Sequence, residues 1–228
     1  MNYKNLTIIG TSHISKESID SVKSFIENEK PSIVALELDY KRVHALLHPN
    51  PAKKNHFYTL KSVGVKGFLF SLMGEWAEKK LGKMVGVKPG TEMITALKTA
   101  KKNGIEVVLI DQDIEITLRR FSKTLSWRER FNFIADIIKS PFSKNKITFD
   151  LNKVPSQEMI NYLVSEVKKR YPNVYKVLIE ERNDVMARRL YNLMKENKKI
   201  LAVMGAGHEE EIIGLIKKIE KDKEKIKS

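Results

Sequence analysis

Two histidines in this 228-residue chain stand three residues after a glycine, each where an apolar run ends. "LTIIGTSH" closes on His13 and "ILAVMGAGH" on His208. Glycine lets the backbone turn sharply as it leaves a strand, and a residue three positions on falls near the start of the next helix. The helix dipole there favours a neutral imidazole, free to ligate an ion or accept a proton. Two neutral imidazoles and a carboxylate are a ligand set for a catalytic divalent ion that keeps a position open for water. Glu37 in "SIVALELD" supplies a carboxylate at the end of another apolar run, and Asp111 and Asp113 in "LIDQD" follow a third. An ion held by His13, Glu37 and His208 would lower the pKa of its water, and a further carboxylate could take the proton. Gly10, Thr11, Ser12, Gly205 and Gly207 complete the turns that would line such a cleft.

Each of these residues has a plainer reading. One Gly-x-x-His is weak and often a mere turn and cap; two of them, with Glu37 on a third strand, carry more weight. Asp111 and Asp113 serve equally well as Asx-turn or capping residues ahead of "IEITLRR". His44 and His48 are four apart on one helix face, but with Pro49 ending that helix they read as a partly exposed pair. His56 has no functional case. Arg119, Arg120, Arg182 and Arg188 form surface i,i+4 pairs by default, whereas an arginine turned into the cleft would clamp a carboxylate or an oxyanion. Sequence alone does not choose between these.

The elements that must position this chemistry are four short runs, 6–10, 32–38, 106–111 and 200–205. They are near-continuously apolar, as suits strands of a parallel sheet covered on both faces. In such a sheet all the carboxyl ends point to one edge, where reactive groups collect. Between the first two runs Ile19, Val22 and Ile26 keep helical spacing, with Ser15 as cap and Pro31 as stop, giving a βαβ unit. A helix is expected over Tyr40–Leu47, and another after "PGTEM" with Thr91 as cap and Gly104 as stop. Residues 114–197 read as all helix, with a capping box at Ser126–Glu129. The expected architecture is α/β, a mainly parallel sheet of at least four strands in a single 1–228 domain, with helical insertions at about 50–90 and 114–197.

Composition narrows the setting. The formal charge of +14 is diffuse, with lysines alternating with acids in "KKIEKDKEKIKS", and lacks the aromatic interleaving that stacks bases, so nucleic acid is not the expected partner. No cysteine is present, which excludes thiolate metal sites and cysteine nucleophiles. No apolar stretch approaches the roughly 18 residues of a membrane span, and no signal peptide is evident. A cytoplasmic protein is expected. The greasy segment 57–87 predicts a lid or a homodimer surface.

The blocks "GTSHISKESIDSVKSFIENEKPSIVALELDYKRVHAL", "PGTEMITALKTAKKNGIEVVLIDQDIEITLRR", "LIEERNDVMARRL" and "AVMGAGHEEEIIGLI" resemble those of the TraB/PrgY family, in the family's order. That family is related to the Tiki metalloproteases and, more distantly, to erythromycin esterases and haem-binding ChaN proteins. The resemblance implies His13 and His208 as paired histidines, Glu37 as first acid and Glu92 as a second. It also places Asp111, Arg119, Arg182 and Asp184 at motif positions. The chain departs from the family pattern at Gln112, at Asn183 where an aspartate is usual, and in the acids after His208. Many members carry a hydrophobic membrane region where this chain has a charged helix.

The resemblance and the spacing together give the expected function. It is a divalent-metal-dependent hydrolase acting on peptides, with Mn, Co or Zn, and with Glu37, Glu92, Arg119 and Arg182 as catalytic groups. The alternative is a regulatory module that binds a peptide or small ligand without cutting it. Haem binding, with His13 or Tyr40 as axial ligand, is a third possibility.

Overall fold

The computed structural model describes residues 1–11, 16–48, 90–129, 131, 132, 135 and 157–227. A two-residue strand β1 (Asn2–Tyr3) turns back antiparallel onto β2 (Leu6–Thr11). Then come α1 (Lys16–Glu29), β3 (Ile33–Leu36), α2 (Tyr40–Leu47), α3 (Thr91–Lys102), β4 (Glu106–Leu109) and α4 (Ile114–Thr124). They are followed by α5 (Gln157–Arg170), α6 (Pro172–Tyr175), a π-helical turn (Lys176–Glu180), α7 (Glu181–Met194), β5 (Ile200–Gly205) and α8 (Glu209–Lys227). The sheet order is β1-β2-β5-β3-β4, and every pairing except β1–β2 is parallel. The four expected strands are all present; β1 is an addition that no apolar run announces.

Side chains on a strand alternate between faces, and here that alternation feeds two cores. Leu6, Ile8, Ile33, Ala35, Ile200, Ala202 and Met204 point to one side, where Met186, Ala187 and Leu190 of α7 and Ile212 and Ile216 of α8 cover them. Val34, Leu36, Leu201 and Val203 point to the other, against Val22 and Ile26 of α1 and Met93, Ala96, Leu97 and Ala100 of α3. All six residues of β5 are buried, as its near-continuous apolar sequence demands of the middle strand of a three-layer sandwich.

Two helix starts differ from expectation. Thr91 opens α3 and does not cap it: Gly90, at φ 81°, takes the cap position. A side chain at Gly90 would meet Leu46 Cδ2 at 2.9 Å, so glycine suits both the left-handed backbone and the approach of α2. The stretch expected as continuous helix from 114 also breaks, because Leu125 is extended and a new helical stretch starts at 127. The capping box there forms as expected: Glu129 N donates to Ser126 Oγ at 3.3 Å and Ser126 N to Glu129 Oε2 at 2.9 Å. Ser12, His13, Ser15, His56 and the 57–87 segment lie outside the described residues.

Among the described residues no helix is long and apolar enough to cross a membrane.

Candidate functional site

The register brings the strand ends level. Thr11 pairs with Gly205, and the ladder runs past β3 and β4, with Glu37 N donating to Val203 O at 3.0 Å and Asp111 N to Leu38 O at 3.3 Å. Glu37, Asp111 and His208 are thereby carried to one edge, where they are 5%, 1% and 6% exposed. Gly10 lets the end of β2 approach the turn after β5: a Cβ on it would stand 2.9 Å from the Ala206 Cα and 1.7 Å from Glu209 Oε1.

Arg182, in the first turn of α7, ties the edge together. Its Nη2 donates to Glu37 Oε1 and, at 2.9 Å, to Asp111 Oδ2; its Nε reaches Asp111 Oδ1 at 3.0 Å and its Nη1 the Leu178 carbonyl at 3.0 Å. Arg42 of α2 donates to Asp111 Oδ2 from the other layer at 2.6 Å. Asp111 is thus a carboxylate shared by arginines from both faces of the sheet. Burial works against the charge of Arg182, but Glu37 and Asp111 outweigh it and hold the guanidinium well above its ordinary pKa.

Glu37 Oε2 accepts from Gly205 N at 2.6 Å, and its Oε1 lies 3.3 Å from His208 Nε2. The other ring nitrogen, Nδ1, is 2.5 Å from Asn183 Oδ1. Asn183 in turn donates to Glu211 Oε2 at 2.9 Å, and Tyr175 donates its hydroxyl to the same oxygen at 3.1 Å. Burial first, then the charge of Glu211, pushes the Tyr175 phenol up to about 12.

A family model described as TraB/PrgY/gumN matches residues 2–228. This chain belongs to the TraB/PrgY/gumN family. An uncharacterized protein of Methanocaldococcus jannaschii is 34% identical over 222 residues, covering 96% of this chain and 55% of that protein. Proteins named TraB domain-containing protein are 23% identical in Homo sapiens and 24% in Mus musculus over 188 residues, covering 77% of this chain and 49% of each relative. The chain therefore spans about half the length of the curated relatives it matches.

Of the site residues expected in this TraB/PrgY/gumN member, Glu37, Asp111, Arg182, Gly205 and His208 meet in one cluster. Glu92 is 1% exposed in the first turn of α3; α3 leads to the amino end of β4, so that turn stands at the carboxyl edge. Asp113 caps α4, accepting from Glu115 N at 2.7 Å and pairing with Lys41 at 2.9 Å. Arg119 is exposed on α4, and Asp184 pairs at 2.9 Å with Arg188 on the exposed side of α7. Thr11 is buried and Gly207 sits in the short turn before α8. His44 and His48 are exposed, their rings 4.8 Å apart, and Tyr40 is exposed at the start of α2.

Spacing does not single out Arg42, Tyr175, Asn183 and Glu211 as cleft residues. Arg42 follows the capping Asp39 by three positions, the only sequence hint that it faces the strand end.

Among the described residues no group of three or more acidic or histidine side chains is arranged to hold an ion. The imidazole of His208 and the carboxylate of Glu37 fit Mn, Co or Zn in chemical type. They fall one donor short of the three protein ligands usual at a catalytic ion.

Proposed function

We propose that this TraB/PrgY/gumN chain is a divalent-metal-dependent hydrolase of peptides, with His208 and Glu37 as two donors and His13 as the third. The observation that carries the reading is the meeting of His208 Nε2 and Glu37 Oε1 at 3.3 Å, both side chains over nine-tenths buried, at the edge where parallel sheets place their reactive groups. Two donors that share an ion at about 2.0–2.2 Å stand at such a separation. When bound, the ion would supply a water acidified toward neutrality. The chain's own part is to hold that edge dry and charged. Arg182 stays cationic beside Glu37 and would lend that charge to a substrate carboxylate or a developing oxyanion, and Glu92 is the acid nearest in role to a proton carrier.

Titration calorimetry with Mn²⁺, Co²⁺ and Zn²⁺ on chelator-stripped protein tests the reading, alongside His208→Ala and His13→Ala. Uptake by the wild type that both substitutions abolish is expected. No uptake, or uptake untouched by both, overturns it.

A second reading, retention of a peptide without cleavage, is favoured by one observation: Glu37 already accepts from Arg182 and Gly205, which leaves it little capacity as a base. Incubation with a diverse peptide library followed by mass spectrometry separates the two, since cleaved products support hydrolysis and intact retained peptide supports binding alone. The homodimer proposed through residues 57–87 predicts twice the chain mass in light scattering; a monomer mass removes it.

A further inference from the structure

We infer that Asn183, Glu211 and Tyr175 are positioning residues that lock the ring of His208 with its proton on Nδ1, so that Nε2 presents a lone pair to Glu37. The inference deepens the metal reading by giving that lone pair a purpose, but the lock itself rests on hydrogen-bond geometry.

The chain of reasoning starts at the far end. The Tyr175 hydroxyl donates to Glu211 Oε2 at 3.1 Å, and its elevated pKa keeps its proton on. The oxygen that takes this hydroxyl hydrogen is an acceptor, so the Asn183 atom 2.9 Å from it is the NH₂. The amide oxygen of Asn183 then has one direction left, toward His208 Nδ1 at 2.5 Å. An oxygen there accepts, and Nδ1 must carry the hydrogen. A free histidine side chain favours the opposite tautomer, with the proton on Nε2, so the three residues work against the intrinsic preference.

The backbone is shaped for this. Tyr175 and Asn183 are eight residues apart, which in a regular helix turns them about 80° from each other at about 100° per residue. The π turn at Lys176–Glu180 absorbs one residue and reduces the offset to about 20°. Both side chains consequently reach the same oxygen of Glu211.

A lone pair facing a carboxylate oxygen at 3.3 Å is repulsive unless something electropositive lies between or beside them. Arg182 bonds that same oxygen, and an ion would complete the arrangement.

The test is the tautomer itself, read by long-range ¹H–¹⁵N correlation on ¹⁵N-histidine protein in chelator, above the imidazole titration range. The His208 signals are assigned by their loss in His208→Asn. The expected wild-type pattern is protonated Nδ1 and bare Nε2. Asn183→Leu should switch it to protonated Nε2. Glu211→Gln, whose amide can turn Asn183 around, should give a mixture of both forms. Circular dichroism verifies that each variant is folded, and Tyr175→Phe, which removes one hydroxyl, serves as the milder change if Asn183→Leu does not fold. It should admit a measurable fraction of the Nε2–H form.

A wild-type ring protonated on Nε2 alone, or on both nitrogens, overturns the lock. So does an Nδ1–H pattern that survives all three substitutions in folded protein. Calorimetry on the same samples separates this failure from that of the metal reading. The expected tautomer without uptake of Mn²⁺, Co²⁺ or Zn²⁺ sustains the lock and sinks the metal reading. Uptake by a wild type whose metal-free His208 carries Nε2–H sinks the lock. Where both hold, Asn183→Leu should weaken affinity by about 10–100-fold.

Discussion

The most consequential single residue among those described is Arg182. It is 11% exposed and faces carboxylates that are 5% and 0% exposed. Replacing it with methionine leaves Glu37 and Asp111 buried with one cation fewer, and breaking such a pair costs about 3–5 kcal/mol. Urea unfolding of Arg182→Met should show that loss, and a change below about 1 kcal/mol would mean the pair contributes little. Gly10 is a second sensitive position. Its Cβ would press on the Ala206 backbone, so Gly10→Ala should cost about 1–3 kcal/mol, as overpacking does. At this scale Glu37, Asp111 and His208 were legible because strand ends collect polar groups. The sequence leaves Arg182 open between cleft and surface because i,i+4 pairs are the default for a helical arginine, and Arg188 indeed forms one with Asp184. His13 and Ser12 stay expectations from sequence.

At the scale of elements, Glu129 joins two helix starts. Its carboxylate accepts from Ser126 N and Oγ and also from Asn173 N at 2.7 Å and Nδ2 at 2.9 Å. Burial raises its pKa, but the donors from Asn173 and Ser126 outweigh that and leave it below the ordinary 4.5. A depressed carboxylate stabilises the fold above its unfolded pKa and loses that contribution as pH falls through the folded value. Glu129→Gln should therefore lie about 1–3 kcal/mol below the wild type at neutral pH. The gap should close as pH falls below about 4.5, and a gap independent of pH would assign the effect to packing. In the core, Leu190→Ala removes a fully buried side chain from the layer over β5, at about 2–5 kcal/mol. Strands and most helices were legible here, because apolar runs and 3.6-residue spacing report burial directly. Tyr175, Asn183 and Glu211 were not, since the π turn breaks that spacing and hides the alignment of the first two.

For the whole molecule, the decisive fact is that β5, the latest strand in sequence, lies between β2 and β3. Removing residues 200–228 deletes the strand that joins them, and such a chain should show no cooperative unfolding transition. Removing residues 222–228 takes away the exposed residues 222–225 and the Lys223 contact with the Tyr191 ring, at less than about 1 kcal/mol. Equal damage from both truncations would contradict this. The α/β class and parallel sheet were legible from the four apolar runs. The strand order was not, because no local pattern in residues 6–11 or 33–36 tells which strand will come between them.

The same strand order sets a schedule for the newborn chain. While residues 1–199 emerge, β2 and β3 both expose unpaired edges, and an unpaired strand edge is a template for pairing with other chains. The sheet closes only when Ile200–Gly205 arrives and pairs on both sides at once. His208 follows three residues behind and Glu211 three after that, so the strand that completes the sheet also brings in the histidine of the site and the carboxylate that anchors its partner. A chain halted during synthesis before that point would hold neither a closed sheet nor a working edge.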